Sequence, residues 1–307
     1  MRLSYPLILL AATAWGSIGI PGEKLFALGL APEQVIWFRA AICFLGMFVI
    51  CLVFNRPRLK IELHKLPLLF LYGVIGVTMF YYAYFNAIDK TGMAMAAILL
   101  YTAPAMVVVI SRLVFKENID LRKIFCILLT TTGCFLVVKG YDINNLKLNL
   151  PGILMGLLAG FCYAMYSIFG KMASASVHPW TVIVYTQGIS LIFLSFLHFP
   201  AEVFAGHYES TAWFYLLYIG IVPTLLAYLC YNAALKHVEA GRASIIATLE
   251  PVVAVFLAYV FLKQVLDPVQ ALGAVLVVSA VVIVQLPARL SKNTGPAKIL
   301  KFNRDLK

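Results

Sequence analysis

Charged residues are what this sequence has least of. Only 12% of its 307 residues are Asp, Glu, Lys or Arg, while 63% are hydrophobic. Soluble domains carry roughly a quarter charged residues, because an exterior facing water must be covered with polar groups. This composition excludes a water-soluble globule. Long polar blocks are missing too, so no soluble domain is inserted between the apolar runs. No Gly-rich Walker loop occurs, which leaves direct use of ATP without a phosphate cradle. No His-Glu-x-x-His pair, Gly-x-Ser-x-Gly elbow or set of paired acids occurs either, so the chain is read as a non-enzyme. The five histidines, His64, His178, His198, His207 and His237, are scattered over helix ends and loops, and no metal or cofactor is expected. The six cysteines, Cys43, Cys51, Cys126, Cys134, Cys162 and Cys230, form no Cys-x-x-Cys pair and all lie in apolar runs. They read as small buried hydrophobes rather than disulfides or metal ligands.

Long apolar runs are present instead. A helix crossing a bilayer needs about 20 mostly apolar residues. Ten runs qualify, at roughly 4–22, 34–54, 66–88, 93–115, 121–139, 151–170, 179–199, 211–235, 242–262 and 269–287. The first run continues through Trp15-Gly16, too far for a cleaved signal core. The expected fold class is therefore an all-α integral membrane protein of ten transmembrane helices. The net charge of +11 does not signal nucleic acid. The basic residues fall in short gaps between apolar runs and form no stripe. Their distribution sets the orientation instead, because cytoplasmic loops are enriched in Lys and Arg. With the N-terminus inside, the inner gaps hold 18 of the 24 basic residues, among them Arg56, Arg58, Lys60, Lys65, Arg112, Lys116, Arg122 and Lys123. Lys24, Lys90, Lys139, Lys147 and Lys263 lie outside. Both termini are thus expected in the cytoplasm of a plasma (inner) membrane, and 288–307 is expected to be a basic cytoplasmic tail near anionic lipid.

The two halves resemble each other. Tyr82-Ala83-Tyr84-Phe85-Asn86-Ala87 in the third run matches Tyr228-Leu229-Cys230-Tyr231-Asn232-Ala233 in the eighth. A small-residue helix with an internal proline follows in each half, from Ala96 to Pro104 and from Ala243 to Pro251. Then Lys116-Glu117-Asn118-Ile119-Asp120 matches Lys263-Gln264-Val265-Leu266-Asp267. Because each copy holds five helices, an odd number, the second must enter the membrane inverted. The expected domains are a first five-helix repeat, 1–140, and a second, inverted repeat, 151–287. Inverted repeats are typical of transporters that expose a midplane site to one side at a time.

In these residues the chain resembles the EamA-like branch of the drug/metabolite transporter superfamily. The marks are Trp15-Gly16 in the first helix and Arg39-Ala40 in the second. In each half the Asn-Ala pair leads through a small-residue helix to a proline, and Phe115-Lys116-Glu117 precedes the helix that carries Gly133. The turn glutamate common in the family stands at Glu117, but its second-half counterpart is Gln264. The resemblance implies two inverted repeats around a central cavity. It also implies transport of small metabolites, whether export of amino acids and related compounds, efflux of toxic compounds or import of nutrients.

Glu250 is the sharpest candidate in the site. A carboxyl group at mid-span is costly in lipid and usually faces a cavity or a partner. The i, i+4, i+7, i+11 spacing of Ala243, Ala247, Glu250 and Ala254 puts them on one face of an uninterrupted helix. Glu250 reads as a proton-coupling group or ligand for an amine, or else as a structural acid. Pro104 and Pro251 each remove a backbone hydrogen bond and read as hinges or static bends. The pairs Tyr82/Asn86 and Tyr228/Asn232 share helix faces at i, i+4; they read as solute ligands or as interhelical glue. Trp15, Tyr101 and Tyr163 are candidate ring contacts for a solute, or simply packing. Arg39 is a candidate outer gate, or a side chain snorkelling to the interface. It is also the lone buried cation, which disfavours strongly anionic solutes. The expected partners are a small-molecule substrate and the lipid bilayer, in a monomer or weak homodimer. The expected function is secondary transport, with amino-acid or related metabolite export, proton-coupled, as the leading form. Import, or efflux of an aromatic or cationic compound, is the alternative. A channel and an intramembrane enzyme are the readings it displaces.

Overall fold

The computed structural model describes residues 3–142, 149–197 and 208–286. The basic tail 288–307, the end of the seventh expected run and the connection carrying Glu202 lie outside the described residues. The described residues are helical throughout, without a strand. We number the long helices α1 Ser4–Ala27, α2 Pro32–Phe54, α3 Leu63–Thr91, α4 Met93–Phe115, α5 Leu121–Val137, α6 Leu150–Ser174, α7 Pro179–Leu197, α8 Ser210–Leu235, α9 Ala240–Leu262 and α10 Pro268–Gln285. Among the described residues, nine of these are long and apolar enough to cross a membrane. The remaining one, α5, has 17 residues. Large apolar side chains cover the outside, with Phe196 85% and Leu113 75% exposed, as expected where the solvent is lipid.

Sequence-encoded signals set the boundaries. Asp120 and Asp267 each open a helix by accepting a backbone N–H, from Lys123 at 2.7 Å and from Val269 at 2.8 Å. Such side-chain oxygens satisfy N–H groups that have no partner within the helix. Pro32 and Pro179 begin α2 and α7, where the missing N–H costs nothing.

Besides α1, which is interrupted at Ser17–Ile18, four helices are irregular, and these irregularities shape the interior. In α4 the helix breaks at Tyr101–Thr102 and restarts at Ala103; in α9 it breaks at Thr248–Leu249 and restarts at Glu250. Pro104 and Pro251 therefore stand in the first turn of a new segment, not at a kink inside an intact one. In α3, residues Tyr72–Met79 widen into a π-helix, and in α8 residues Ile221–Leu226 do the same. Thr78 and Thr224 donate their hydroxyls to the carbonyls of Gly73 (3.0 Å) and Ile219 (2.7 Å), five residues back in each case. π-Bulges of this kind frequently accompany functional sites.

Long-range bonds show which helices run antiparallel. Arg122, near the start of α5, donates to Leu286 O just beyond α10 at 2.6 Å. Gln270, near the start of α10, donates to Val137 O at the end of α5 at 2.8 Å. The two helices cross closely at Gly133, where a Cβ would sit 2.8 Å from Gly273 O. Gly152, Gly156 and Gly160 form a ladder along α6 that faces the segment from Lys90 to Thr102. Small residues at such positions let helix backbones approach. All six cysteines are free and buried.

Candidate functional site

A cavity of about 190 Å³ opens at mid-span where the irregular helices meet. Its wall is mostly aromatic: Trp15 from α1, Phe80, Tyr81, Tyr84 and Phe85 from α3, Tyr163 and Tyr166 from α6, and Tyr228 from α8. Ile18, Gly76 and Leu100 fill gaps, and two charged side chains, Arg39 and Glu250, complete the lining.

Each of these groups is held by its surroundings. Trp15 meets Tyr163, Tyr166, Tyr228 and Tyr231 at ring-centroid distances of 6.3, 6.4, 6.2 and 5.2 Å, the first three edge-on. Edge-to-face contacts at these distances are the favoured aromatic geometry. The neighbouring Gly16 lets α1 lie against the restart of α9, since a Cβ there would fall 2.6 Å from Glu250 O and 2.7 Å from Val253 Cβ. The break in α9 places Glu250 at the head of its second segment, so its side chain leaves the helix where the backbone has just turned. That break also interrupts the face on which the spacing put Ala243, Ala247 and Glu250, because the spacing rule assumes unbroken winding.

Arg39 lies deeper than its sequence position suggests. It is seven residues past Pro32, the first residue of α2, and so about two turns in. Its Nε donates to Thr224 Oγ1 at 2.6 Å and its Nη2 to Pro223 O at 3.4 Å, both in the widened part of α8. The guanidinium also lies over the rings of Tyr81 (5.2 Å) and Tyr228 (6.0 Å), whose faces attract cations. Tyr81 and Tyr228 share a hydroxyl–hydroxyl bond of 2.9 Å. Arg39 makes no contact with Glu33 in this arrangement; it faces the cavity.

The structure divides the remaining candidates. Trp15, Tyr163 and Tyr228 line the cavity with Glu250 and Arg39. Asn232 is buried beside it as structural glue: its Oδ1 accepts from the Tyr72 hydroxyl at 3.1 Å, and its Nδ2 donates to Tyr166 Oη at 3.3 Å and to Tyr228 O at 2.9 Å. Tyr101 is buried at the break in α4 but does not line the cavity. Tyr82 is 48% exposed on the outside of α3, and Asn86 bonds back to its own helix through Tyr82 O at 2.8 Å.

The sequence reading gave no role to a polar cluster at one end of the bundle. There Glu117, in the turn after α4, accepts the N–H groups of Ala240 (2.9 Å) and Gly241 (3.3 Å) at the start of α9. A carboxylate is favoured at that position by the helix dipole as well as by the two bonds. Lys123 stands 3.9 Å from Glu117 and 3.1 Å from Glu239, and Arg242 pairs with Glu239 at 2.8 Å. Lys171, near the end of α6, donates to Leu235 O (2.6 Å) and Val238 O (2.7 Å), closing the end of α8. Glu117 stood out in the sequence only as the turn glutamate common in the family; the N–H groups it holds are more than a hundred residues away in sequence.

A family model described as the EamA-like transporter family matches residues 2–139 and again residues 150–286. The chain belongs to the EamA-like transporter family. It is a transporter-family, multi-pass membrane protein. A transporter of Archaeoglobus fulgidus, whose function is not characterised, is 28% identical over 288 residues, covering 92% of this chain and 96% of that protein. The threonine/homoserine exporter RhtA of Escherichia coli K12 is 28% identical over 276 residues, covering 89% of this chain and 88% of RhtA. A solved crystal structure at 16% identity superimposes with a TM-score of 0.79 over 93% of this chain and 97% of that one, a likeness of fold.

Proposed function

We propose that this EamA-like chain is a secondary transporter of ten transmembrane helices in two inverted repeats, 1–140 and 151–287. In this reading it exports a small amino acid or related metabolite by alternating access, in exchange for a proton carried by Glu250. Both termini and the basic tail 288–307 face the cytoplasm of the inner membrane, and the unit is a monomer or weak homodimer. The observation that carries the proposal is the mid-span cavity in which Glu250 and Arg39 face a small aromatic chamber.

Size favours a small solute. About 190 Å³ is a little more than the roughly 150 Å³ of an apolar cavity that accommodates benzene. The antiparallel pairing of α5 with α10 and the matching breaks in α4 and α9 support the inverted repeat. RhtA's named activity supports amino-acid export. The two halves carry breaks and widened segments at corresponding places, which are suitable points for one half to move against the other. Glu250 serves coupling because a carboxyl group can hold a proton or a solute's positive charge but not both at once. The aromatic lining favours a second reading, efflux or import of an aromatic or cationic compound, through ring stacking and cation–π contact.

Purified protein reconstituted in proteoliposomes tests the proposal by counterflow of labelled amino acids and of labelled organic cations. Saturable counterflow of an amino acid, lost in Glu250→Gln at normal expression, is the expected result. Full exchange by Glu250→Gln removes Glu250 from the mechanism, and flux without saturation or counterflow indicates a channel.

A further inference from the structure

Arg39 and Glu250 are opposite charges facing one cavity, yet each lacks an ionic partner. No ion pair within 4.0 Å among the described residues includes either of them. Among the described residues the Glu250 carboxyl has no side-chain hydrogen bond, and Arg39 uses Nε and Nη2 on Thr224 and Pro223 while Nη1 has no partner. Charges held inside a membrane normally pair with one another or face water or a substrate. Here the two are held apart by a gap that is itself the cavity. Thr224 and the rings of Tyr81 and Tyr228 fix the guanidinium from behind, and the close packing of Gly16 on the Glu250 backbone fixes the other pole.

We propose that the cavity binds a zwitterionic α-amino acid across this gap, its carboxylate on Arg39 and its ammonium on Glu250. The proposal rests on the transport reading above and specifies its substrate class. A zwitterion supplies both missing counter-charges at once and adds no net charge to the chamber. A simple amine satisfies Glu250 but brings a second cation toward Arg39; a simple carboxylic acid satisfies Arg39 but brings a second anion toward Glu250. The planar guanidinium suits a carboxylate in particular, since its N–H groups form a fixed fork. Trp15, Phe80, Phe85 and Tyr163 leave an apolar space for the side chain. The chamber's size limits the whole solute to roughly eight to ten non-hydrogen atoms, judged against a ~150 Å³ cavity filled by benzene. Binding of the ammonium to Glu250 excludes the proton there, so solute and proton occupy the site alternately.

The test measures counterflow of labelled L-threonine, L-valine and L-phenylalanine in proteoliposomes, with inhibition by the methyl ester and the N-acetyl derivative of whichever is carried. The ester keeps only the positive pole and the N-acetyl form only the negative one. We expect each derivative to inhibit at least 10-fold more weakly than the parent amino acid in the unaltered protein. Arg39→Gln should weaken the amino acid at least 10-fold while leaving the ester unchanged. Glu250→Gln should weaken the amino acid while leaving the N-acetyl form unchanged, read as binding by thermal shift because that variant does not exchange. Arg39→Lys, which keeps the charge, should restore part of the loss. Derivatives that inhibit as well as the parent, or variants that lose all three ligands equally, overturn the two-pole site. Counterflow of a different solute class with no amino acid carried also overturns it but leaves the transport reading standing. Absence of counterflow for amino acids and organic cations alike overturns the transport reading itself.

Discussion

The turns that follow the two broken helices are built alike and finished differently. Each begins with a lysine in the left-handed region, φ 57° at Lys116 and 53° at Lys263, and each ends on an aspartate that opens the next helix. The residue after the lysine is where they part. Glu117 is buried and holds two N–H groups of α9, whereas the Gln264 side chain is exposed and makes no hydrogen bond among the described residues. Because α5 and α10 run antiparallel, the turns lie at opposite ends of the bundle. A carboxylate offers two acceptor oxygens and a charge to the start of a helix, while an amide offers one oxygen and no charge. At one end the residue after the lysine ties the two halves; at the other it does not, and the bonds between the halves there run instead from Tyr141 to Asp267 and from Gln270 to Val137 O. The same unevenness recurs inside, where Ala103 stands first in the restarted segment of α4 and Glu250 in that of α9.

The largest expected effect comes from untying the held end. Glu117→Ala removes two buried acceptors and one partner of Lys123, and loss of one member of a buried pair costs about 3 kcal/mol or more. Thermal unfolding in detergent checks this, and a loss below about 1 kcal/mol would show that the carboxylate is not what joins the ends. Next is Gly16→Ala, which adds a methyl to α1 where it lies against the restart of α9. Crowding Glu250 O and Val253 should cost about 1–3 kcal/mol; an unchanged melting temperature would mean that α1 and α9 separate freely. A smaller, opposite change is expected on α7. Both polar atoms of the Gln187 amide are buried without a partner among the described residues, so Gln187→Met should stabilise by about 1 kcal/mol. If the variant is instead stable but inactive in proteoliposomes, the amide serves the transport cycle. Least of all, Gln264→Glu in the other turn should alter stability by no more than about 0.5 kcal/mol, as for other exposed sites. A clear rise would reveal a partner for that turn and erase the contrast between the ends.

Much of this was legible in the sequence, for identifiable reasons. The spans follow from the length of apolar runs, and helix starts follow from Asp120, Asp267 and Pro179, whose effects are local. The glycine ladder of α6 and the breaks near Pro104 and Pro251 were likewise signalled by residue type. Which side of each helix faces inward was not legible. In a bundle surrounded by lipid both faces are apolar, so periodicity shows that Tyr82 and Asn86 share a face but not that this face points outward. The depth of Arg39 was missed because the start of α2 lies two residues before the expected one and because its anchor, Thr224, is on a distant helix. Glu117 was missed as a tie for the same reason: the N–H groups it holds belong to the other half of the chain.

The aromatic setting of Trp15 has an optical consequence. Trp37, Trp180 and Trp213 do not line the chamber, whereas the indole of Trp15 looks into it with four tyrosine rings at close range. With the other three indoles replaced by phenylalanine, ultraviolet emission from the purified protein becomes a direct gauge of whether the chamber is filled or empty.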